Sequence, residues 1–318
     1  MESMILGIDV GGTSIKIGFV SENGDVFDKW EIPTNTNENG KHIVHDIWTS
    51  IEKKLKQHQM KKSILLGIGV GAPGFIDAKT GVVYRAVNIG WQDFELASQF
   101  KELSGLPVYI ANDANVAVLG ENWKGAGNQA NNLIAVTLGT GVGGGIIANG
   151  SVLDGENGTA GEIGHITVDP NGYLCNCGRK GCLETITSAT GIVRQAMDLI
   201  DENPTSDLAV YYGEAGSISA KDVFDLASKG DSLCDQVIDH TANVLGLVIA
   251  NTATIINPSK VLIGGGVSQA GDQLILRIEK YFKEYALERI SDICEVKVAE
   301  LGNDAGMIGA AYLVKHNL

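Results

Sequence analysis

A chain of 318 residues, 44% hydrophobic and 19% charged, has the length for two sizeable domains and the composition of an ordinary globular protein. With 24 basic against 38 acidic residues the formal charge is −14, and no block of Lys or Arg offsets it, which argues against nucleic acid or an anionic membrane as a partner. No apolar run approaches the roughly 18 residues that span a bilayer. The start lacks a basic leader and Asp9 interrupts the first apolar stretch, so no secretory signal is expected.

In chain order, "MILGIDVGGTSIKIGFV" reads as strand, tight glycine turn and strand, with a further strand in "GDVFDKWEIP". Ile43, Val44, Ile47, Ile51 and Leu55 recur at helical spacing and predict a helix from His42 to about His58. Its Lys-rich end, "EKKLKQHQMKK", is a solvated terminus well placed for the helix dipole. The apolar strand "ILLGIGVGAPG" follows, then the short strand "PVYIAND" leading into a helix. "NLIAVTLGTGVGGGIIANG" repeats the strand, glycine turn, strand pattern. Beyond it come a capping box at Ser219 and Asp222, a long helix ending near Ile256, and the strand "KVLIGGG". A helix to about Ala286, a strand near 296–299 and a closing helix from Asp304 complete the chain.

The two glycine hairpins superimpose with Asp9 opposite Thr137 and Gly11 opposite Gly139. This weak repeat, together with alternating strands and helices, predicts an α/β protein of two similar lobes with mixed, helix-covered sheets. A small N-terminal lobe is expected over 1–120, completed by the closing helix at about 303–318, and a larger one over 121–302.

Glycine turns let backbone N–H groups approach a phosphate closely. In "DVGGT", Thr13 and Lys16 add a hydroxyl and a charge, and Asp9 is placed to hold Mg²⁺ through water. Tight glycine hairpins are common, so this turn is a weak signal by itself. "GTGVGGG" (139–145) is neither a Walker loop nor a dinucleotide fingerprint, since a strand follows it. A second glycine hairpin strengthens the case for nucleotide phosphates. The glycines at 264–266 offer a flat backbone surface to an adenosine, or form a plain strand-to-helix turn. Asn112 and Asp113 close an apolar strand, where α/β proteins place ligands. Asp113 is a helix N-cap, a base accepting the proton of a hydroxyl that attacks a phosphoryl group, or both.

His165, Cys175, Cys177 and Cys182 bring three thiols and an imidazole within 18 residues. That is the composition of a closed structural zinc site. Plain reduced thiols are the alternative, and a disulfide fits a cytoplasmic chain poorly. Glu162 and Glu184 flank the cluster, and a metal would fix both carboxylates for recognition of vicinal hydroxyls. Glu184 also suits the start of a helix.

"DVGGT", "AND", "GTGVGGG", "GEIGH" and "CNCGRKGCLE", in this order, resemble the ROK family of sugar kinases and repressors over nearly the whole chain. "GAPGFID", "VNIGW" and "LGENWKGAG" are most similar to its bacterial glucokinases. The resemblance implies two actin-like (ribonuclease H-like) lobes with a ligand cleft between them, using ATP and Mg²⁺. It implies Asp113 as the catalytic base toward a hexose 6-hydroxyl, with sugar contacts from Asn112, Glu162, His165 and Glu184. His165 would also ligate zinc beside Cys175, Cys177 and Cys182. Asn88 and the backbone at Gly71 and Ala72 would line the sugar pocket. Gly11, Gly12, Thr13, Lys16, Gly139, Thr140 and Gly141 would hold phosphates, with Gly265 and Gly266 near the adenosine.

The expectation is therefore a cytoplasmic kinase making glucose 6-phosphate, with a sister kinase for fructose, mannose, allose or an N-acetylated amino sugar as the rival. Family members are often dimers or tetramers. A repressor would carry a helix-turn-helix segment before the kinase-like part, and only eight residues precede Asp9 here. A non-catalytic sensor would need a damaged phosphate loop or a replaced Asp113, and neither is found.

Overall fold

The computed structural model describes residues 2–318, and its apolar runs form two separate five-stranded sheets. They belong to different compact units. The first takes the residues up to Gln129, the segment Val152–Gly161 and the end of the chain from Leu301. The second takes Ala130–Ser151 and Glu162–Glu300.

In the first unit, β1 (Met4–Val10), β2 (Ser14–Ser21), β3 (Val26–Pro33) and β4 (Leu65–Ala72) are followed by a small meander of β5 (Phe75–Asp77), β6 (Val82–Ala86) and β7 (Trp91–Phe94). With β8 (Val108–Asn112), the main sheet has the order β3-β2-β1-β4-β8. β1 runs antiparallel to β2 and parallel to β4, and β4 runs parallel to β8.

Along β1, side chains alternate between two covered faces. Leu6, Ile8 and Val10 join the core that takes Ile43, Val44, Ile47, Trp48, Ile51 and Leu55 from the helix Ile43–Gln57. Ile5 packs on the other face with Ala311 and Val314 of the closing helix Ala305–His316. Strand register aligns Gly18, Gly7 and Gly69 into one row on that face. A β-carbon at Gly7 would lie 2.1 Å from the Met307 carbonyl oxygen, and one at Gly69 only 1.7 Å from that of Ala310. The row is thus a groove in which the closing helix lies against the sheet backbone. That helix crosses the helix Asp113–Lys124 just as closely, since a β-carbon at Gly309 would come within 1.7 Å of the Val116 oxygen.

The other five-stranded sheet contains β9 (Leu133–Leu138), β10 (Val142–Ala148), β11 (Ser151–Val152), β12 (Lys260–Gly264) and β13 (Glu295–Val298), in the order β11-β10-β9-β12-β13, all in the second unit but for Val152 at its edge. β9 is antiparallel to β10 and parallel to β12, and β12 is parallel to β13. These are the relations of β1 to β2 and β4, and of β4 to β8, so the repeat in the sequence is a repeat of topology. The long helix Ser232–Ile256 and the helix Asp272–Tyr285 pack side by side. Their surface is laced by Arg277 to Asp235 (2.5 Å), Tyr281 to Asp239 (2.6 Å) and Tyr285 to Asn243 (3.0 Å). Cys234 and Cys294 are buried in this core as small apolar side chains. Among the described residues, no helix is long and apolar enough to cross a membrane.

The capping box forms as read. Ser219 Oγ accepts the Asp222 N–H at 3.2 Å, and Asp222 Oδ2 accepts the Ser219 N–H at 2.8 Å. The sequence reading did not include the β5–β7 meander or the helices Leu96–Ser104, Ala189–Glu202 and Asp207–Ala215.

Candidate active site

Register decides what meets at the ends of the parallel strands in the first unit. Asp9 pairs with Lys16 on β2 and with Gly71 on β4, and Ala72 pairs with Asn112 on β8. Asp113 then opens the next helix as an exposed side chain. Burial pushes the Asp9 carboxyl up to about 6; Lys16 pulls it down, and the negative charge of Asp113 adds to the rise. A half-buried carboxylate facing a second acid is suited to a divalent cation, so the donor set fits Mg²⁺.

The turn after β1 is held from behind. The Gly11 N–H donates to the Ser14 oxygen at 3.0 Å, and Thr34 donates to Gly11 through Oγ1 (2.7 Å) and to Thr13 through its N–H (2.9 Å). Gly12 and Thr13 are left exposed at the tip. Asn88 comes beside this tip, since a β-carbon on Gly12 would lie 3.6 Å from that of Asn88.

Asn112, rather than Asp113, is the N-cap of the helix Asp113–Lys124. Asn112 Oδ1 accepts the N–H groups of Ala114 (2.9 Å) and Asn115 (3.4 Å), and its Nδ2 donates to the Gly74 oxygen at 3.1 Å. Asp113 Oδ1 accepts the Ala114 N–H at 2.8 Å, which fixes the carboxylate at the helix start.

In the second unit the Gly139–Gly141 turn closes on itself, with the Gly139 N–H donating to the Gly141 oxygen at 2.9 Å. Glu184 Oε2 accepts the Val142 N–H at 3.0 Å. A β-carbon on Gly141 would sit 2.3 Å from that same oxygen, so a larger residue there would push the Glu184 carboxylate aside. Beside the turn lies a cavity of about 690 Å³ lined by Gly139, Thr140, Gly266, Phe224, Lys221 and Gln273, among others. Gly265 adopts φ +83°, and a β-carbon there would lie 2.4 Å from the Leu138 carbonyl oxygen, a position open to glycine alone. Phe224, Lys221 and Gln273 escaped the sequence reading. The capping box located the helix of Lys221 and Phe224, and Gln273 lies on the helix Asp272–Tyr285, but nothing local said that either would flank a glycine turn from another part of the chain.

The ligating atoms of His165, Cys175, Cys177 and Cys182 all lie within 4.8 Å of one another. Cys177 and Cys182 sulfurs are 3.6 Å apart, and Cys175 Sγ is 3.7 Å from His165 Nδ1. A tetrahedral zinc with ordinary bond lengths places sulfurs about 3.8 Å apart and sulfur and nitrogen about 3.5 Å apart. The donor set therefore fits zinc. The backbone N–H of Arg179, aided by its guanidinium, holds the exposed Cys177 thiol down to about 6. Burial pushes the Cys175 thiol up to about 12 and raises that of Cys182. Arg179 also donates to the His165 carbonyl at 2.8 Å, tying two ligands together. Glu162 is exposed just before the turn Ile163–His165, and the His165 N–H donates to its carbonyl oxygen at 3.0 Å.

The first unit thus carries a glycine turn beside Asp9 and a carboxylate fixed at Asp113, and the second carries a glycine turn fastened by Glu184 and a cluster of three thiols and an imidazole. The ROK family model matches residues 5–317. A glucokinase of Halalkalibacterium halodurans is 54% identical over 98% of this chain and 94% of its own. A glucokinase of Thermotoga maritima is 36% identical over 99% and 98%. The crystal structure of a ROK family glucokinase from Streptomyces griseus, in complex with glucose and AMPPNP, superimposes with a TM-score of 0.79 at 34% identity, covering 99% of this chain and 100% of that one. The chain belongs to the ROK family.

Proposed function

We propose that this chain is an ATP-dependent glucokinase, transferring the γ-phosphoryl group of ATP to the 6-hydroxyl of glucose to give glucose 6-phosphate and ADP. The observation that carries the reading is the 54% identity with a glucokinase over almost the full length of both chains. Asp113, exposed and fixed at the start of its helix, accepts the proton of the 6-hydroxyl as that oxygen attacks phosphorus. In loose phosphoryl transfer such a base chiefly orients the nucleophile, so an Asp of ordinary acidity suffices.

On the first unit, Asn88, the remaining Asn112 amide hydrogen and the backbone at Gly71 and Ala72 recognise the sugar. Gly11, Gly12, Thr13 and Lys16 bind phosphate, and Asp9 holds Mg²⁺, which offsets the charge on the transferring group. On the second unit, Glu162, His165 and Glu184 accept or donate hydrogen bonds to sugar hydroxyls. His165 ligates zinc through Nδ1, leaving Nε2 for a hydroxyl. Gly139, Thr140 and Gly141 bind phosphate, and the cavity lined by Gly266 and Phe224 takes the adenosine, with Gly265 preceding it in the chain. Zinc, held by His165, Cys175, Cys177 and Cys182, supplies rigidity and no open coordination position. None of the five cysteines is in a disulfide, which fits the reducing cytoplasm, where we place the enzyme.

The test is ADP release coupled to sugar phosphate formation, with Mg²⁺ and glucose, fructose, mannose and N-acetylglucosamine compared side by side. A strong preference for glucose is expected. Preference for another sugar moves the chain to a sister kinase with the same base, and no turnover on any of them overturns the kinase reading.

A further inference from the structure

The metal cluster and the glycine turn of the second unit share one short segment. Three fastenings hold the turn, and all come from residues 184–190. Glu184 Oε2 accepts the Val142 N–H at 3.0 Å, the Ala189 N–H donates to the Gly139 oxygen at 2.9 Å, and Thr190 Oγ1 donates to the Thr140 oxygen at 2.9 Å. Ser188 ties these together. Its hydroxyl donates to the Glu184 carbonyl at 2.7 Å, meets Thr190 Oγ1 at 2.9 Å and caps the helix Ala189–Glu202 through the Gly191 N–H.

The segment begins two residues after the ligand Cys182. The Cys182 carbonyl accepts both the N–H (2.9 Å) and the hydroxyl (2.7 Å) of Thr185, and the Leu183 N–H is held by the Ile166 oxygen at 2.8 Å, next to the ligand His165. Fixing Cys182 and His165 on one ion fixes the backbone from which Glu184 projects. Beyond these fastenings, its own Gly139–Gly141 hydrogen bond and the pairing of Val142 with Leu138 hold the turn. Its glycines lose more freedom on ordering than any other residue, so its geometry depends on outside fastenings.

We propose that the zinc centre sets the affinity for the nucleotide, acting through Glu184 and Thr190 as positioning residues for the Gly139–Val142 turn. The inference rests on the kinase reading, in which that turn binds phosphate. It makes Glu184 more than a sugar contact, and it predicts a metal effect that is present with no sugar in solution.

The experiment is calorimetric titration of Mg·ADP, without sugar, into zinc-loaded protein, into chelator-stripped protein checked for folding by circular dichroism, and into stripped protein given zinc back. Stripping should weaken ADP at least about tenfold, the scale of one lost charge-assisted hydrogen bond, and zinc should restore it. Three zinc-loaded variants test the path without removing the metal. Glu184→Ala should weaken ADP by a similar factor with its zinc content unchanged. Glu184→Gln, which keeps an acceptor for the Val142 N–H, should recover part of the loss. Thr190→Val should weaken ADP while leaving zinc content and glucose binding as they are. Folded, stripped protein that binds ADP like the zinc-loaded form overturns the proposal. If stripping unfolds the protein, the variants decide, and zinc-replete Glu184→Ala with unchanged ADP affinity overturns it. Zinc-loaded wild type that binds no ADP at all sinks the kinase reading itself, and the linkage with it.

Discussion

Asp9 and Gly306 meet where β1 ends against the first turn of the closing helix, and a β-carbon at 306 would lie 2.5 Å from Asp9 Oδ2. The glycine leaves room for the carboxylate, which any side chain at 306 would have to displace. Burial nevertheless pushes Asp9 up to about 6 from 3.8. Between those values the folded state holds more protons than the unfolded chain. This residue therefore favours folding fully below pH 3.8, and its contribution is lost as pH rises through 6.

Asp9→Asn should accordingly stabilise the metal-free, nucleotide-free protein at pH 7.5, by about 1–3 kcal/mol. The gain should vanish near pH 4, and Mg·ATP binding should weaken. Melting temperatures at the two pH values check this, and equal values for variant and wild type at pH 7.5 would refute the burial cost.

Gly309 is where the closing helix touches the helix that starts at Asp113. Gly309→Ala forces a β-carbon against the Val116 oxygen and should cost about 1–3 kcal/mol by overpacking. Because the displaced helix carries Asp113, kcat should fall along with the melting temperature. A variant with a normal melting temperature would show that the crossing tolerates spreading.

Asp113→Asn should retain glucose binding and lose about 10²–10⁴-fold in kcat. Calorimetry and steady-state rates measure the two separately. Near-normal turnover would remove Asp113 from the role of base.

Purified protein should carry one zinc per chain. Cys177→Ser should lose the metal and glucose affinity together, whereas Cys294→Ser, buried away from the cluster in the core, should keep both. Metal analysis on the three proteins settles it, and zinc-free wild type would disprove the site.

Local patterns made much of this protein legible. Helical spacing at Ile43, Val44, Ile47, Ile51 and Leu55 gave the correct buried face, because period 3.6 is a local property. The capping box at Ser219 and Asp222 was readable for the same reason. The convergence of His165, Cys175, Cys177 and Cys182 was legible because all four lie within one loop, so spacing stands in for distance. The β5–β7 meander was not legible, since its strands are three to five residues long and take their order from neighbours such as Gly40, whose oxygen accepts the Trp91 indole N–H at 3.1 Å.

What the sequence alone determined is the chemistry available: which acids, glycines and thiols exist, and which of them are close along the chain. Only the tertiary structure decided their use. It gave the helix cap to Asn112, leaving Asp113 for another role, because the backbone places Asn112 Oδ1 under two N–H groups. It turned Gly7, Gly18 and Gly69, scattered over 62 positions of chain, into one groove for the closing helix, because strand register is a long-range property. It likewise bound Glu184 to the Val142 N–H across 42 residues. Such pairings carry no local signal, since they exist only once distant backbone is brought within hydrogen-bond reach.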